Sequence, residues 1–224
     1  MQGVVVTSLI VTMPRSGTWY IKHVFGCLGV NIPVVHGLPP EQGNPFWHPD
    51  QNHGSEQIAK ADRIVNVVRE NAFEQMLSYY RHCINHKNQT HMFAPDGSRI
   101  RDFEHFVRVA GGPAYRAHWI AFLGQANVMR VHYENLRDHP STYFAAILDR
   151  FDYSVIHHLL DKATEDCSRD NLSRAERTLK LSLADDQQPG SFHIKDQPNN
   201  KFYVPETGEM IDPAMVKVCN QYRC

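Results

Sequence analysis

No run in this 224-residue chain approaches the roughly 18 consecutive apolar residues a membrane helix requires, so no membrane contact is expected. Neither sign of charge is in excess. Lys and Arg number 23 against 24 Asp and Glu, a formal net charge of -1. That balance removes the global basic field on which nucleic-acid binding rests, so no nucleic-acid partner is expected and any anion site must be local. Cysteine is scarce and scattered: Cys27, Cys83, Cys167, Cys219 and Cys224 are odd in number, and none falls in a C-x-x-C pair. Free thiols in a reducing compartment fit this better than a disulfide framework. The first residues lack a basic segment and a small-residue cleavage site, so no signal peptide is read and a cytoplasmic location is expected. The sequons at Asn88-Gln89-Thr90 and Asn171-Leu172-Ser173 are set aside on the same ground. Repeats and low-complexity tracts are also missing. The length predicts one domain over 1–224 with a real core, loop-rich at 37–60, 88–100 and 187–210.

What is present alternates. Residues 4–12 (VVVTSLIVT) are β-branched and nearly continuous, as in a strand buried on both faces. Ile21, Val24, Phe25 and Leu28 then make one helical stripe, with Gly29 as its stop. Further strands are predicted near Ile32–His36, Arg63–Val68 and Val128–His132. Helical stripes follow the last two, at Phe73, Met76, Leu77 and Tyr80 and at Phe144, Ile147, Leu148 and Phe151, the latter with Ser141 as candidate cap. Two separate helices are predicted around 103–109 and 113–123, the second with Pro113 in its first turn. Strands alternating with helices predict an α/β fold with a mainly parallel central sheet flanked by helices. Such sheets bind ligands at the carboxyl ends of their strands.

The first strand ends in Pro14-Arg15-Ser16-Gly17-Thr18-Trp19. Strand, tight turn and helix together aim several N–H groups at one point, and the helix dipole adds partial positive charge. Gly17 permits close approach, Ser16 and Thr18 offer hydroxyls, and Arg15 offers a permanent fork of donors. The ligand this implies is a tetrahedral oxyanion, a phosphate or a sulfate; a merely capped helix with a solvated arginine is the plainer alternative. The ATPase spacing G-x-x-x-x-G-K-[ST] is absent, and no pair of acidic metal ligands lies nearby, so no metal is expected.

"PRSGTW" resembles the 5′-phosphosulfate loop of sulfotransferases that use 3′-phosphoadenosine 5′-phosphosulfate (PAPS). "RIVNVVRENAFEQMLSYYRH" is similar to that family's strand-and-helix segment V-x-R-N-P-x-D-x-x-x-S-Y-Y, and "VMRVHYENLRDHP" to its L-x-Y-E-D-L-x-x-D-P. The three occur in family order across most of residues 4–151. The resemblance implies a P-loop-like sulfotransferase architecture. It further implies transfer of a sulfuryl group to a hydroxyl or amine of a small-molecule acceptor, leaving adenosine 3′,5′-bisphosphate (PAP). By position, Arg15, Ser16, Gly17, Thr18 and Trp19 would hold the phosphosulfate, and Arg69 and Ser78 the 3′-phosphate. Three departures stand out. Trp19 replaces a usual hydroxyl residue, the gap from Arg69 to Ser78 is one residue long, and the C-terminal R-K-G is missing. Lys195, Arg174 and Arg177 are candidate substitute cations.

Sulfuryl transfer to a hydroxyl calls for in-line positioning, charge neutralisation by Arg15, and a general base, for which histidine has a suited pKa. His36 ends the second strand just before Gly37-Leu38-Pro39, much as the family's base ends a strand before Leu-Pro. His53, His48 and Glu41 compete with it. His82 and His86, with Cys83 and His91 nearby, have a spacing that can hold zinc, although a solvated helix end is the commoner meaning. Trp119 is expected in the core and Glu134 buried against a partner, while Phe46 and Trp47 are candidate acceptor-pocket walls. Two rival functions stay open. A nucleotide phosphotransferase would need Mg²⁺, and a degenerate relative would bind the nucleotide without turnover.

Overall fold

A computed structural model describes residues 7–40, 54–85, 92–94, 96–168, 170–172, 174–175 and 200–223. Four strands, β1 (Ser8–Thr12), β2 (Val34–His36), β3 (Arg63–Val68) and β4 (Val128–His132), form a wholly parallel sheet in the order β2-β1-β3-β4. The α/β fold with a parallel sheet flanked by helices is therefore present. β1 lies inside the sheet, which explains its unbroken apolar reading: Leu9, Ile10, Val11 and Thr12 are all buried. β2 is shorter than predicted and starts at Val34, after Pro33, whose carbonyl accepts from the Ile10 N–H at 2.9 Å.

The chain divides into two compact units. The first comprises Met1–Asn44, Pro49–Glu70 and Ala117–Glu165, and holds the sheet. α1 (Thr18–Leu28) buries Ile21, Val24 and Phe25, and ends at Gly29 in the left-handed region, φ 68°. α2 (Ser55–Lys60) falls within the stretch predicted as loop. Its single buried side chain, Ile58, and its opposed end charges, Glu56 and Lys60, suffice for a turn and a half but give no readable stripe. In this unit Phe144 of α7 (Pro140–Arg150) meets the rings of Tyr20 and Phe25 from α1 at centroid distances of 5.4 and 5.9 Å. α7 begins at Pro140, one residue before the predicted cap Ser141, because proline suits the first helical position. α6 (Tyr133–Asp138) and α8 (His157–Asp166) complete it; α8 buries Leu160, Ala163 and Thr164 and turns its charges outward.

The second unit comprises Pro45–His48, Asn71–Arg116 and Asp166–Cys224. Its centre is α3 (Ala72–Asn85), capped by Asn71, whose Oδ1 accepts from the Glu74 N–H at 3.1 Å. Tyr79, predicted off the stripe, is buried, and Leu77 is only half-buried. The reason is an aromatic cluster in which Phe73, Tyr79, Tyr80, Phe103, Phe106 and Phe202 contact one another at 5.3–5.7 Å. The two helices predicted around 103–109 and 113–123 are one continuous run: α4 (Phe103–Phe106), a π-helical turn (Val107–Gly111) and α5 (Gly112–Ala121). Pro113 has no N–H to give, and the widened turn accommodates it without a break. Gly111 is required there, since a Cβ would lie 2.4 Å from Phe106 Cε1.

A C-terminal hairpin, β5 (Tyr203–Val204) and β6 (Glu209–Met210), and α9 (Met215–Asn220) finish this unit; α9 went unpredicted because its six residues bury only Met215 and Cys219. Two carboxylates fasten the hairpin to α3. Glu209 accepts from Tyr80 Oη–H and from the Phe103 N–H, both at 2.9 Å. Glu206, 6% exposed, accepts from Arg81 Nη2–H at 2.8 Å and Nε–H at 3.1 Å, and from Asn85 Nδ2–H at 3.2 Å. Burial pushes the Glu206 carboxyl up, but these donors outweigh it and hold the group below the usual range. Its stabilisation is therefore present at neutral pH and lost as the pH falls through that depressed value. Glu206→Ala leaves a buried guanidinium uncompensated, and chemical denaturation should show a loss of about 3 kcal/mol.

Candidate active site

The parallel register brings His36, the corner after β1 and Arg69 to one edge of the sheet. Thr12, the last residue of β1, pairs with His36, the last of β2, and with Val67 of β3. The corner that follows is bent twice through the left-handed region, at Arg15 (φ 72°) and Gly17 (φ 83°). For arginine this conformation costs roughly 1–2 kcal/mol, a strain that collects at functional sites. A Ser16 N–H to Met13 carbonyl bond of 3.0 Å closes the turn, and Ser16 is fully buried. Gly17 caps α1 without a side-chain acceptor, and the first turn carries no acidic residue to compete for an anion there.

Tyr133, the first residue of α6, lies against this corner. A Cβ on Gly17 would meet its Cδ2 at 2.5 Å. The guanidinium carbon of Arg69, just past β3, sits 4.5 Å from the same ring centre. Behind them the Glu134 carboxylate accepts the Glu70 N–H at 3.2 and 3.1 Å, and the Glu70 Oε2 lies 3.3 Å from His132 Nδ1. Glu134, expected to be buried against a partner, is half-buried; it holds a backbone partner and fixes the turn that carries Arg69.

His36 is half-buried, and its Nδ1 lies 2.9 Å from the Thr12 carbonyl oxygen. A carbonyl only accepts, so Nδ1 carries the hydrogen and the neutral ring keeps its lone pair on Nε2. That is the tautomer a general base needs. Ser78 stands half-buried on α3 in the second unit. Trp19 is half-buried, with the Lys22 ammonium 4.9 Å from its ring and His23 at 5.9 Å; it brings an indole where a hydroxyl was anticipated. Burial lowers the His23 pKa. Glu41, Phe46, Trp47, His48, His53, His86, His91, Arg177 and Lys195 lie outside the described residues, and Arg174 is exposed. Cys83 is buried, and among the described residues no group of three or more His, Cys, Asp or Glu gathers as a metal site. No helix among them is long and apolar enough to cross a membrane.

Several residues here escape sequence reading. Trp119 is in the core, as predicted, but it is gripped. The Arg130 guanidinium stacks 4.9 Å from its ring and donates to its carbonyl at 2.6 Å, and His132 meets it edge-on. Asn66, paired with Arg130, is fully buried with neither side-chain atom bonded, and both ring nitrogens of buried His118 are likewise unmet. Desolvation foremost, then the charges of His36 and Arg130, lowers the His118 pKa to about 3. No repeating stripe marks such residues. Only a histidine or asparagine at an otherwise apolar position signals them.

No family profile matches the sequence, and neither does any curated protein. Solved structures do resemble it. Mouse sulfotransferase SULT7A1 complexed with PAP has a TM-score of 0.56 at 11% identity, covering 96% of this chain and 88% of that one. Retinol dehydratase in complex with androsterone and the inactive cofactor PAP has a TM-score of 0.55, also at 11% identity, covering 96% and 78%. The chain has the sulfotransferase fold.

Two measurements follow from the site. Gly17→Ala forces Tyr133 aside, and thermal unfolding should show a destabilisation of about 2 kcal/mol. His118 stays neutral when folded and protonates near pH 6.5 when unfolded. Stability should therefore fall as pH drops from about 6.5 towards 3, by up to about 1.4 kcal/mol per unit. His118→Phe should remove that part of the slope in urea titrations across the window.

Proposed function

We propose that this protein is a PAPS-dependent sulfotransferase acting on a hydroxyl or amine of a small molecule. What carries the reading is the register that sets the Arg15–Thr18 corner beside His36 at the carboxyl edge of β1 and β2. The donor set fits a phosphosulfate: a fixed cation, a threonine hydroxyl, and the opening N–H groups of an eleven-residue helix with no acidic side chain in its first turn. Arg69, held against Tyr133, is the cation assigned to the 3′-phosphate. Two structural neighbours hold PAP and one also holds androsterone, a small molecule, which supports the donor and the acceptor class.

Bound PAPS supplies the sulfuryl group and a phosphate leaving group. The chain's own part is to position and to balance charge. His36 Nε2 takes the acceptor's proton as the acceptor oxygen bonds to sulfur, while the bond from sulfur to the phosphate oxygen breaks on the opposite side. Arg15 and the corner's N–H groups neutralise the charge that grows on that phosphate. Trp19 favours a second reading. With one hydroxyl fewer near the sulfonate, the same corner suits a protein that binds the nucleotide and does not turn it over.

Thermal shift separates the alternatives. PAP should stabilise the protein by several degrees at 100 times its Kd, worth about 2.7 kcal/mol, and well beyond AMP or ATP-Mg²⁺. Preference for ATP-Mg²⁺, or indifference to the 3′-phosphate, would sink the proposal. Arg69→Ala should abolish the preference for PAP over AMP. His36→Ala should keep PAP binding and lower kcat by roughly 10²–10⁴; if PAP binds and no acceptor in a phenol, alcohol and amine panel is sulfated, the binding-only reading holds.

A further inference from the structure

Thr12 is fully buried at the end of β1, and its hydroxyl touches three groups. Its Oγ1 lies 3.0 Å from His36 Nδ1, 2.8 Å from Thr18 Oγ1 and 3.4 Å from the Val35 carbonyl oxygen. The direction of each bond can be worked out. Nδ1 already carries a hydrogen, because it lies 2.9 Å from the Thr12 carbonyl, which can only accept. The Thr12 hydroxyl therefore cannot donate to Nδ1; it shares the single Nδ1–H with the Thr12 carbonyl, as a second acceptor at 3.0 Å, and has its one proton left to give. Thr18 Oγ1 at 2.8 Å is the better acceptor, and Val35 at 3.4 Å is near the limit of a hydrogen bond. Thr18 accepts in turn, so its own proton points onward. Every donor in the series runs one way, from imidazole to Thr12 to Thr18.

Thr18 opens α1, inside the corner that the proposed function assigns to the phosphosulfate. We infer that Thr12 is a positioning residue that couples anion binding at this corner to protonation of His36 through the chain His36 Nδ1–H, Thr12 Oγ1–H, Thr18 Oγ1–H. An oxyanion accepting from Thr18 polarises both hydroxyls and strengthens the bond that Nδ1–H makes to Thr12; an imidazolium, the stronger donor, strengthens the series from the other end. Each event favours the other by the same factor. In the transfer, the proton that His36 receives at Nε2 sharpens the Thr18 donor just as negative charge grows on the leaving phosphate. No proton moves along the chain. It transmits polarisation only.

His118, whose charge acts on that of His36 from α5, is neutral above about pH 3 and does not supply this link; the nearby Arg130 keeps its charge throughout. Through-space attraction between the anion and an imidazolium exists regardless, so the test must separate it from the chain. Thr12→Val keeps the shape and removes the hydroxyl, whereas Thr12→Ser restores the hydroxyl.

The coupling rests on the proposed function only in requiring an oxyanion at the corner, so inorganic sulfate is run beside PAP. The His36 ring is titrated by NMR, assigned against His36→Asn, with no ligand, saturating PAP and saturating sulfate. Wild type should show His36 titrating about one unit higher with either anion, a tenfold coupling. Thr12→Val should lose at least threefold of that factor, and Thr12→Ser should recover it. Should Thr12→Val unfold, Thr18→Val removes the last donor at the same shape and carries the same expectation. A shift equal to that of wild type in the valine variant overturns the proposal, as does a loss that serine does not repair. PAP binding without a shift overturns the coupling and leaves the sulfotransferase reading standing. Sulfate alone binding, with the shift, does the reverse. Failure of both anions to bind overturns both.

Discussion

Thr12 pairs with His36 on one side and Val67 on the other, and this single rung of the parallel sheet organises the proposed site. In a parallel ladder the strands end together, so whatever follows each strand is delivered to the same edge. After β1 comes the strained corner, after β3 comes Arg69, and after β4 comes Tyr133. A slip of one residue in β1 would turn Thr12 to the opposite face of the sheet and take its hydroxyl from His36. Close packing around the buried Leu9, Ile10 and Val11 resists that slip, so the core of the first unit and the geometry of the corner are one constraint.

How the corner is held is also a matter of contact rather than charge. The chain is nearly neutral overall, and the corner has one arginine of its own. Gly17 lets the Tyr133 ring close on the turn, and Arg69 stacks on that ring. The aromatic side chain thus lies against both the corner and the Arg69 guanidinium. Glu134, bound to the Glu70 N–H, anchors the turn bearing the second cation without neutralising it. Local electrostatics of this kind leave no trace in net charge.

The sheet was legible because period and composition report burial directly: β3 and β4 have their predicted bounds, and β1 and β2 end where predicted. The corner was legible as a turn because Pro14 and Gly17 interrupt the run between strand and helix. Less of the second unit could be read. Its core is built from rings, and an aromatic cluster around Tyr79, Phe103 and Phe202 draws on positions that no single helical stripe unites. The continuous run from Phe103 to Ala121 was read as two helices because Pro113 ordinarily breaks one, and only the π turn removes the conflict. Thr12 was hidden for another reason. A threonine closing a β-branched run looks like a strand residue, and its second role depends on a histidine 24 positions away.

At 11% identity to its structural neighbours, the chain shares few residues with them beyond chance expectation, yet it keeps the fold. Physical necessity accounts for which features can drift. A buried apolar strand tolerates exchange among valine, isoleucine and leucine, since volume and pattern are what matter. A turn at φ 83° pressed by an aromatic ring tolerates almost nothing but glycine. Trp19 lies between these limits. It stands on the first turn of α1 with Lys22 over its ring, so the residue is anchored by contacts of its own and not by the hydroxyl chemistry it replaces. Thr18, which with Ser16 supplies the corner's hydroxyls, is bonded to Thr12 and through it to His36. With the neighbouring position given to an indole, Thr18 is the corner hydroxyl whose contacts run through Thr12 to the histidine behind it.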